Sequence, residues 1–85
     1  MYRVIIEKKA AKAIKELPEE IIGRMISTID ALKENPVQKG SLKLKGRFKN
    51  GYRLRVGNYR VLYTINEGQK EVSVFQVGHR REIYR

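Results

Sequence analysis

The residues best equipped for chemistry in this chain are arginines, spaced so that several must share one surface. Arg53, Arg55 and Arg60 sit in two alternating runs, Tyr52 to Val56 and Tyr59 to Ile65, separated only by Gly57-Asn58. A Gly-first pair of this kind closes a β-hairpin through a type II′ turn, and a two-residue loop fixes the register on both sides. Val56 then faces Tyr59, Arg55 faces Arg60, Leu54 faces Val61, Arg53 faces Leu62 and Tyr52 faces Tyr63. Side chains alternate between the two faces of a strand. One face therefore carries Tyr52, Leu54, Val56, Tyr59, Val61 and Tyr63, and the other Arg53, Arg55, Arg60 and Leu62. Directly opposed like charges cost up to about 1 kcal/mol. Two readings of that cost stand side by side. One is a solvated outer face with the arginines splayed apart. The other is a phosphate site, because a guanidinium is a planar fork that grips two phosphate oxygens at once. His79-Arg80-Arg81 follows the last apolar run and Tyr84 comes shortly after. If that run pairs beside Tyr59 to Ile65, these groups reach the same face.

The charge balance points the same way. Nineteen Lys and Arg against nine Asp and Glu give +10 over 85 residues. Between Asn35 and Asn66 there is no acid, while Lys39, Lys43, Lys45, Arg47, Lys49, Arg53, Arg55 and Arg60 all lie there. Such an excess costs self-repulsion and invites a polyanion. Nucleic acid is the foremost candidate, with an acidic protein or a membrane surface next. Lys43, Lys45, Arg47, Lys49 and Arg81 are candidate RNA contacts around the arginine face. The chain has no cysteine and a single histidine. A zinc–thiolate or multi-histidine metal site is therefore not expected, nor any cofactor, nor a two-histidine ribonuclease mechanism. No apolar run approaches the roughly 20 residues of a membrane span, and the N-terminus has no signal-peptide core. A cytoplasmic location without membrane contact is expected.

The elements that must position these groups follow from periodicity. One domain, 1–85, is expected from length. Tyr2 to Ile6 reads as a strand. Lys8 to Leu17 reads as a short amphipathic helix with Ala10, Ile14 and Leu17 at helical spacing. Pro18 suits the first turn of a second helix, with Glu19 and Glu20 at its positive end. Ile22, Met25, Ile26, Ile29 and Leu32 form its apolar stripe, and Asn35-Pro36 stops it. Leu42 to Lys45 alternates, and Glu71 to Val77 reads as the last strand. An α+β fold is expected: an N-terminal strand and a helical hairpin packed on one face of a twisted antiparallel β-sheet.

Gly51-Tyr52-Arg53-Leu54-Arg55-Val56-Gly57-Asn58-Tyr59-Arg60-Val61-Leu62-Tyr63, together with Val77-Gly78-His79-Arg80-Arg81-Glu82-Ile83-Tyr84, resembles the RelE/ParE toxin superfamily, RelE-type branch. Leu42 to Gly46 resembles the segment that precedes these blocks. The resemblance implies a microbial-ribonuclease-like toxin of a type II toxin–antitoxin system. Such a toxin is a ribosome-dependent endoribonuclease, an mRNA interferase that blocks translation by cutting messenger RNA in the A site, beside 16S rRNA. In the reaction it implies, the ribose 2′-OH attacks the adjacent phosphate, without a metal. It also implies a cognate antitoxin as partner. By the same resemblance Arg60 and Arg80 hold the scissile phosphate, Arg80 protonates the leaving oxygen, and Tyr84 stacks on a base or aids proton transfer. Tyr84 read from the sequence alone is a C-terminal aromatic closing a small core. Arg53 and Arg55 stand where the best-known member has lysines. Arginine essentially never deprotonates, so a lysine-type general base is replaced by electrostatic activation. His79 is then either an acid–base group, its ordinary pKa lying near neutrality, or a hydrogen-bonding histidine at a strand end. The alternatives within the superfamily are a ParE-like toxin that binds and poisons DNA gyrase, or a catalytically idle RNA binder.

Overall fold

The computed structural model describes residues 1–44 and 50–79. The chain runs β1 (Arg3–Ile6), α1 (Lys8–Lys15), α2 (Glu19–Ala31), β2 (Leu42–Lys43), β3 (Gly51–Val56), β4 (Tyr59–Asn66) and β5 (Glu71–His79). The five strands form one sheet in the order β1-β5-β4-β3-β2. β2 to β5 form the antiparallel meander that the turn residues dictate. The first strand departs from expectation: β1 lies parallel to β5, with Arg3 beside Glu71 and Ile6 beside Val74. Two helices intervene before the meander begins, so β1 need not reverse against its neighbour and instead adds to the far edge of β5.

The β3–β4 hairpin has the register set out above, from Val56 opposite Tyr59 to Tyr52 opposite Tyr63. Gly57 has φ +61° and Asn58 is not among the positive-φ residues, the signature of a II′ turn. A Cβ on Gly57 would meet Ile21 Cδ1 at an ordinary 3.5 Å, so the cost of replacing it is backbone strain, not crowding. Gly57→Ala is expected to lose about 1–2 kcal/mol, read as a Tm lowered by roughly 4–16 °C at the 4–8 °C per kcal/mol of a domain this size.

The apolar face of the hairpin packs under both helices. Ala10 and Ile14 of α1, Met25, Ile29 and Leu32 at and beyond α2, and Leu54, Val56, Val61, Tyr63, Ile65, Val72, Val74 and Val77 of the sheet form the core. Pro18 sits at the N-cap of α2, one position before its first turn. The stripe on α2 is rotated from the expected one. Ile21 packs against the core beside Met25 and Ile29, whereas Ile26 is 53% exposed. At 100° per residue Ile21, Met25, Ile29 and Leu32 share one narrow arc, and Ile26 falls about 100° away from its centre. Ile26 looks instead into an open apolar groove of about 210 Å³ with Val4, Ile6 and Ile29, rimmed by Asp30 and Lys33.

Behind the hairpin, Tyr63 anchors the segment that returns to the sheet. Its ring is fully buried and stacks on Tyr52 at 5.9 Å. Its hydroxyl donates to the Pro36 carbonyl at 2.6 Å, and Ser41 Oγ lies 3.0 Å away on its acceptor side. Burial pushes the Tyr63 hydroxyl pKa up from 10.0, with the Ser41 hydrogen bond opposing. One buried phenol thus holds both ends of the Pro36–Ser41 loop, which leads directly into β2.

Candidate nucleic-acid interface

The helices cover one face of the sheet and leave the other open. Arg53, Arg55 and Arg60 are on that open face and line one pocket of about 240 Å³, closed on the far side by Gly40 and Leu42. The opposed pair Arg55–Arg60 is sorted by depth. Arg60 is buried, with 9% of its surface exposed, and it is the one charged residue in that class among the described residues. Arg55 is exposed, and its Nε donates to the Gly57 carbonyl at 3.1 Å. Hooked to the turn in this way, Arg55 stays at the exposed rim, whereas Arg60 is buried. Arg53 is half-buried between them and β2.

The structure does not bring every candidate to this pocket. His79 pairs with Tyr59, not with an arginine, and its ring meets the Tyr59 ring edge-on at 5.4 Å. It lines a separate cavity of about 580 Å³ on the helix side with Ala13, Glu16, Leu17, Pro18 and Tyr59. The cause is a β-bulge opposite Leu62/Tyr63. Below it Tyr63 pairs with Val74, and above it Leu62 pairs with Gln76, so Phe75 is the extra residue. One extra residue reverses which face every later side chain occupies. Gly78 therefore stands opposite Arg60 on the open face and His79 turns to the covered one.

Lys43 is likewise on the other side. Leu42 pairs with Arg53 and Lys43 with Tyr52, so Leu42, 52% exposed, forms the pocket wall in the place expected for a basic residue. Gly40 and Leu42 are the pocket residues that sequence reasoning passed over, and a two-residue strand carries too little pattern to reveal its face. Arg80, Arg81, Tyr84, Lys45, Arg47 and Lys49 lie outside the described residues.

Chemically, the pocket offers fixed positive charge of graded depth to one anion. Among its described residues there is no neutral-range proton acceptor, since arginine stays protonated. That suits binding and stabilising a phosphate or its pentacoordinate form more than abstracting a proton.

A helical hairpin packed on a five-stranded, mostly antiparallel open sheet is the architecture of the RelE toxins. The M. tuberculosis RelBE2 toxin–antitoxin complex contains a chain of this fold, with TM-score 0.81 and 25% identity, covering 93% of this chain and 98% of that one. The chain belongs to the ParE toxin family of type II toxin–antitoxin systems, whose family model matches residues 4–84. Among its relatives are a putative toxin RelE1 of Methanocaldococcus jannaschii, 29% identical, with 99% of this chain and 96% of that protein covered. Another is toxin RelE of Mycobacterium tuberculosis, 31% identical, with 99% and 87% covered. Among the described residues no helix is long and apolar enough to cross a membrane.

Proposed function

We propose that this toxin cleaves messenger RNA in the A site of the ribosome by transesterification on a phosphate held in the arginine pocket. The observation that carries the reading is the convergence of Arg53, Arg55 and Arg60 on one pocket of the uncovered face. In the reaction the 2′ oxygen, acidified by the surrounding guanidinium charge, forms a bond to phosphorus and gives up its proton to water. The P–O5′ bond breaks, and the 5′ oxygen takes a proton, leaving a 2′,3′-cyclic phosphate and a free 5′-OH. Arg60 and Arg53 stabilise the charge that builds on the phosphorane oxygens. Arg55, the outermost, draws the strand in and lowers the pKa of the 2′-OH. Arg80 and Tyr84 complete the site in the placements that the resemblance gives them: Arg80 hydrogen-bonds the leaving 5′ oxygen, which takes its proton from water, and Tyr84 stacks on a base. His79, on the covered side, takes no part in the proton transfers.

The partners in this reading are the ribosome with its 16S rRNA, the mRNA, and a cognate antitoxin. An antitoxin is supported by the complex in which the similar M. tuberculosis chain was solved. The apolar groove at Val4, Ile6 and Ile26 also supports it, because a cleft of exposed isoleucines is a surface that a partner segment would cover. A second reading, a gyrase poison that leaves RNA intact, is favoured by the ParE name of the family model. Relatives over the full chain are named RelE, and the arginine pocket suits an anion in both readings.

The test is direct. Purified toxin is added to ribosomes programmed with a defined A-site codon, and the products are mapped by primer extension and end-group chemistry. Cleavage at the A site with a cyclic phosphate end is expected. An intact transcript beside arrested gyrase supercoiling would establish the second reading instead.

A further inference from the structure

We propose that the outer face of α1 is a second phosphate-binding surface, a lysine ridge that seats the protein on the backbone of an RNA duplex while the arginine pocket engages a separate strand. The helix reads Lys-Lys-Ala-Ala-Lys-Ala-Ile-Lys and buries Ala10 and Ile14 against the sheet. At 100° per residue, Lys8, Lys12 and Lys15 fall within an arc of about 60° whose centre is about 150° from those two. All three are exposed. Lys9 flanks them on one side.

This arrangement is unfavourable for the isolated helix in three ways. Lys8 and Lys9 occupy the first turn, at the positive end of the helix dipole, and the turn itself holds no acid, Glu7 lying just before it at the N-cap. Lys8 and Lys12 are like charges four apart, which destabilises a helix. The ion pairs among the described residues are Arg3–Glu71, Lys33–Asp30 and Lys70–Glu67, and none reaches α1. A solvated helix face with no task is ordinarily built with alternating signs. A polyanion relieves all three penalties at once.

The geometry selects a nucleic-acid backbone over an acidic protein. The three lysines span about 10.5 Å at 1.5 Å per residue, the length occupied by roughly three phosphates of one duplex strand at about 3.4 Å each. The exposed strip carries no large apolar side chain, whereas a protein partner needs apolar anchors at the centre of its interface. Lysine ammonium groups are point charges that hold phosphates without reading bases. α1 packs on the covered side of the sheet, so ridge and arginine pocket are on opposite sides of the molecule. RNA as the duplex rests on the ribosomal reading above; the ridge itself does not.

The test uses the full chain and labelled RNA and DNA duplexes of roughly 16 base pairs. Wild type is compared with the triple variant Lys8→Gln/Lys12→Gln/Lys15→Gln. A control triple, Lys33→Gln/Lys39→Gln/Lys70→Gln, lowers net charge equally. The ridge variant is expected to bind the RNA duplex on the order of 10²-fold more weakly at ~0.1 M salt, with the log–log salt slope shallower by about 2.7. Its Tm should not fall, since repulsion is removed. In steady-state cleavage on ribosomes the ridge variant raises KM and leaves kcat, while Arg60→Ala lowers kcat and leaves duplex affinity. Equal weakening by the control triple, an unchanged slope, or binding of the DNA duplex alone would each overturn the proposal. A loss of affinity for an acidic antitoxin with duplex binding intact would overturn it in favour of a protein partner. If wild type cuts no mRNA yet binds duplex through the ridge, the cleavage reading fails and the ridge stands.

Discussion

Arg60→Ala will lower the single-turnover rate of mRNA cleavage by roughly 10²–10³-fold, the usual loss when one donor to a developing anion is removed. The side chain is the deepest of the three pocket arginines and lies at its floor beside Arg53 and Arg55. Arg55 is held at the rim by its bond to the Gly57 carbonyl and does not take its place. Arg60→Lys restores charge but not the planar fork, so it should recover only part of the rate. Arg55→Ala, at the rim, should affect binding more than the chemical step. His79→Gln should keep the rate within a factor of a few, because His79 packs on Tyr59 on the covered face. Quench-flow cleavage of A-site mRNA with saturating toxin separates these cases. If His79→Gln is as damaged as Arg60→Ala, the assignment of faces is wrong.

The largest stability effect is expected at Tyr63. Tyr63→Ala removes a fully buried ring, its stack on Tyr52 and the hold on the Pro36–Ser41 loop. Truncating a buried aromatic costs about 3–5 kcal/mol. A chain of this length has only about 4–13 kcal/mol in total, at roughly 0.05–0.15 per residue. The variant should therefore lose from about a quarter to all of the fold's stability, visible as a large drop in the urea midpoint. Tyr63→Phe keeps the ring and loses the hydroxyl, leaving the Pro36 carbonyl without its donor, at a cost of about 1–3 kcal/mol. That loop supplies Gly40 and leads to Leu42, the wall of the pocket, so Tyr63→Phe should also slow cleavage modestly. The phenol adds a pH signature. Its pKa is raised in the folded protein, so the native state holds this proton longer than the unfolded state does. Its contribution is complete below pH 10 and is lost as pH rises through the elevated folded value. Above pH 10 the wild-type urea midpoint should drop more steeply than that of Tyr63→Phe; parallel curves would contradict the burial argument.

The arginine hairpin was legible from residues alone because a two-residue turn leaves no freedom in register, and a register fixes faces. Arg53, Arg55 and Arg60 were placed together for that reason, and Tyr52 to Tyr63 under the helices for the same one. The placement of His79 failed at one residue. A regular pairing of β4 with β5 would have put it on the open face, and the bulge at Phe75 reverses it. A trace of this was present: Val72, Val74 and Val77 are all buried, and the last interval is three where alternation requires two. Leu42 and Lys43 were harder, since two residues of strand have no period to read. The parallel seat of β1 and the rotation of the α2 stripe that exposes Ile26 depend on how helices and strand meet in space, which short-range pattern does not encode.

The side-by-side pairing of β1 with β5 has a consequence for how the molecule comes into being. Arg3 and Glu71 are neighbours though 68 positions apart, and β5 is flanked by β1 on one side and β4 on the other. A nascent chain therefore has no complete layer on which to rest its helices until Glu71–His79 has been synthesised. Contacts of such long sequence separation also form slowly. The arginines of the hairpin emerge earlier, but on a scaffold that cannot yet hold them at fixed depth. On the proposed reading the arginine pocket is therefore not formed until that strand has been made, which gives a partner first access to the incomplete sheet.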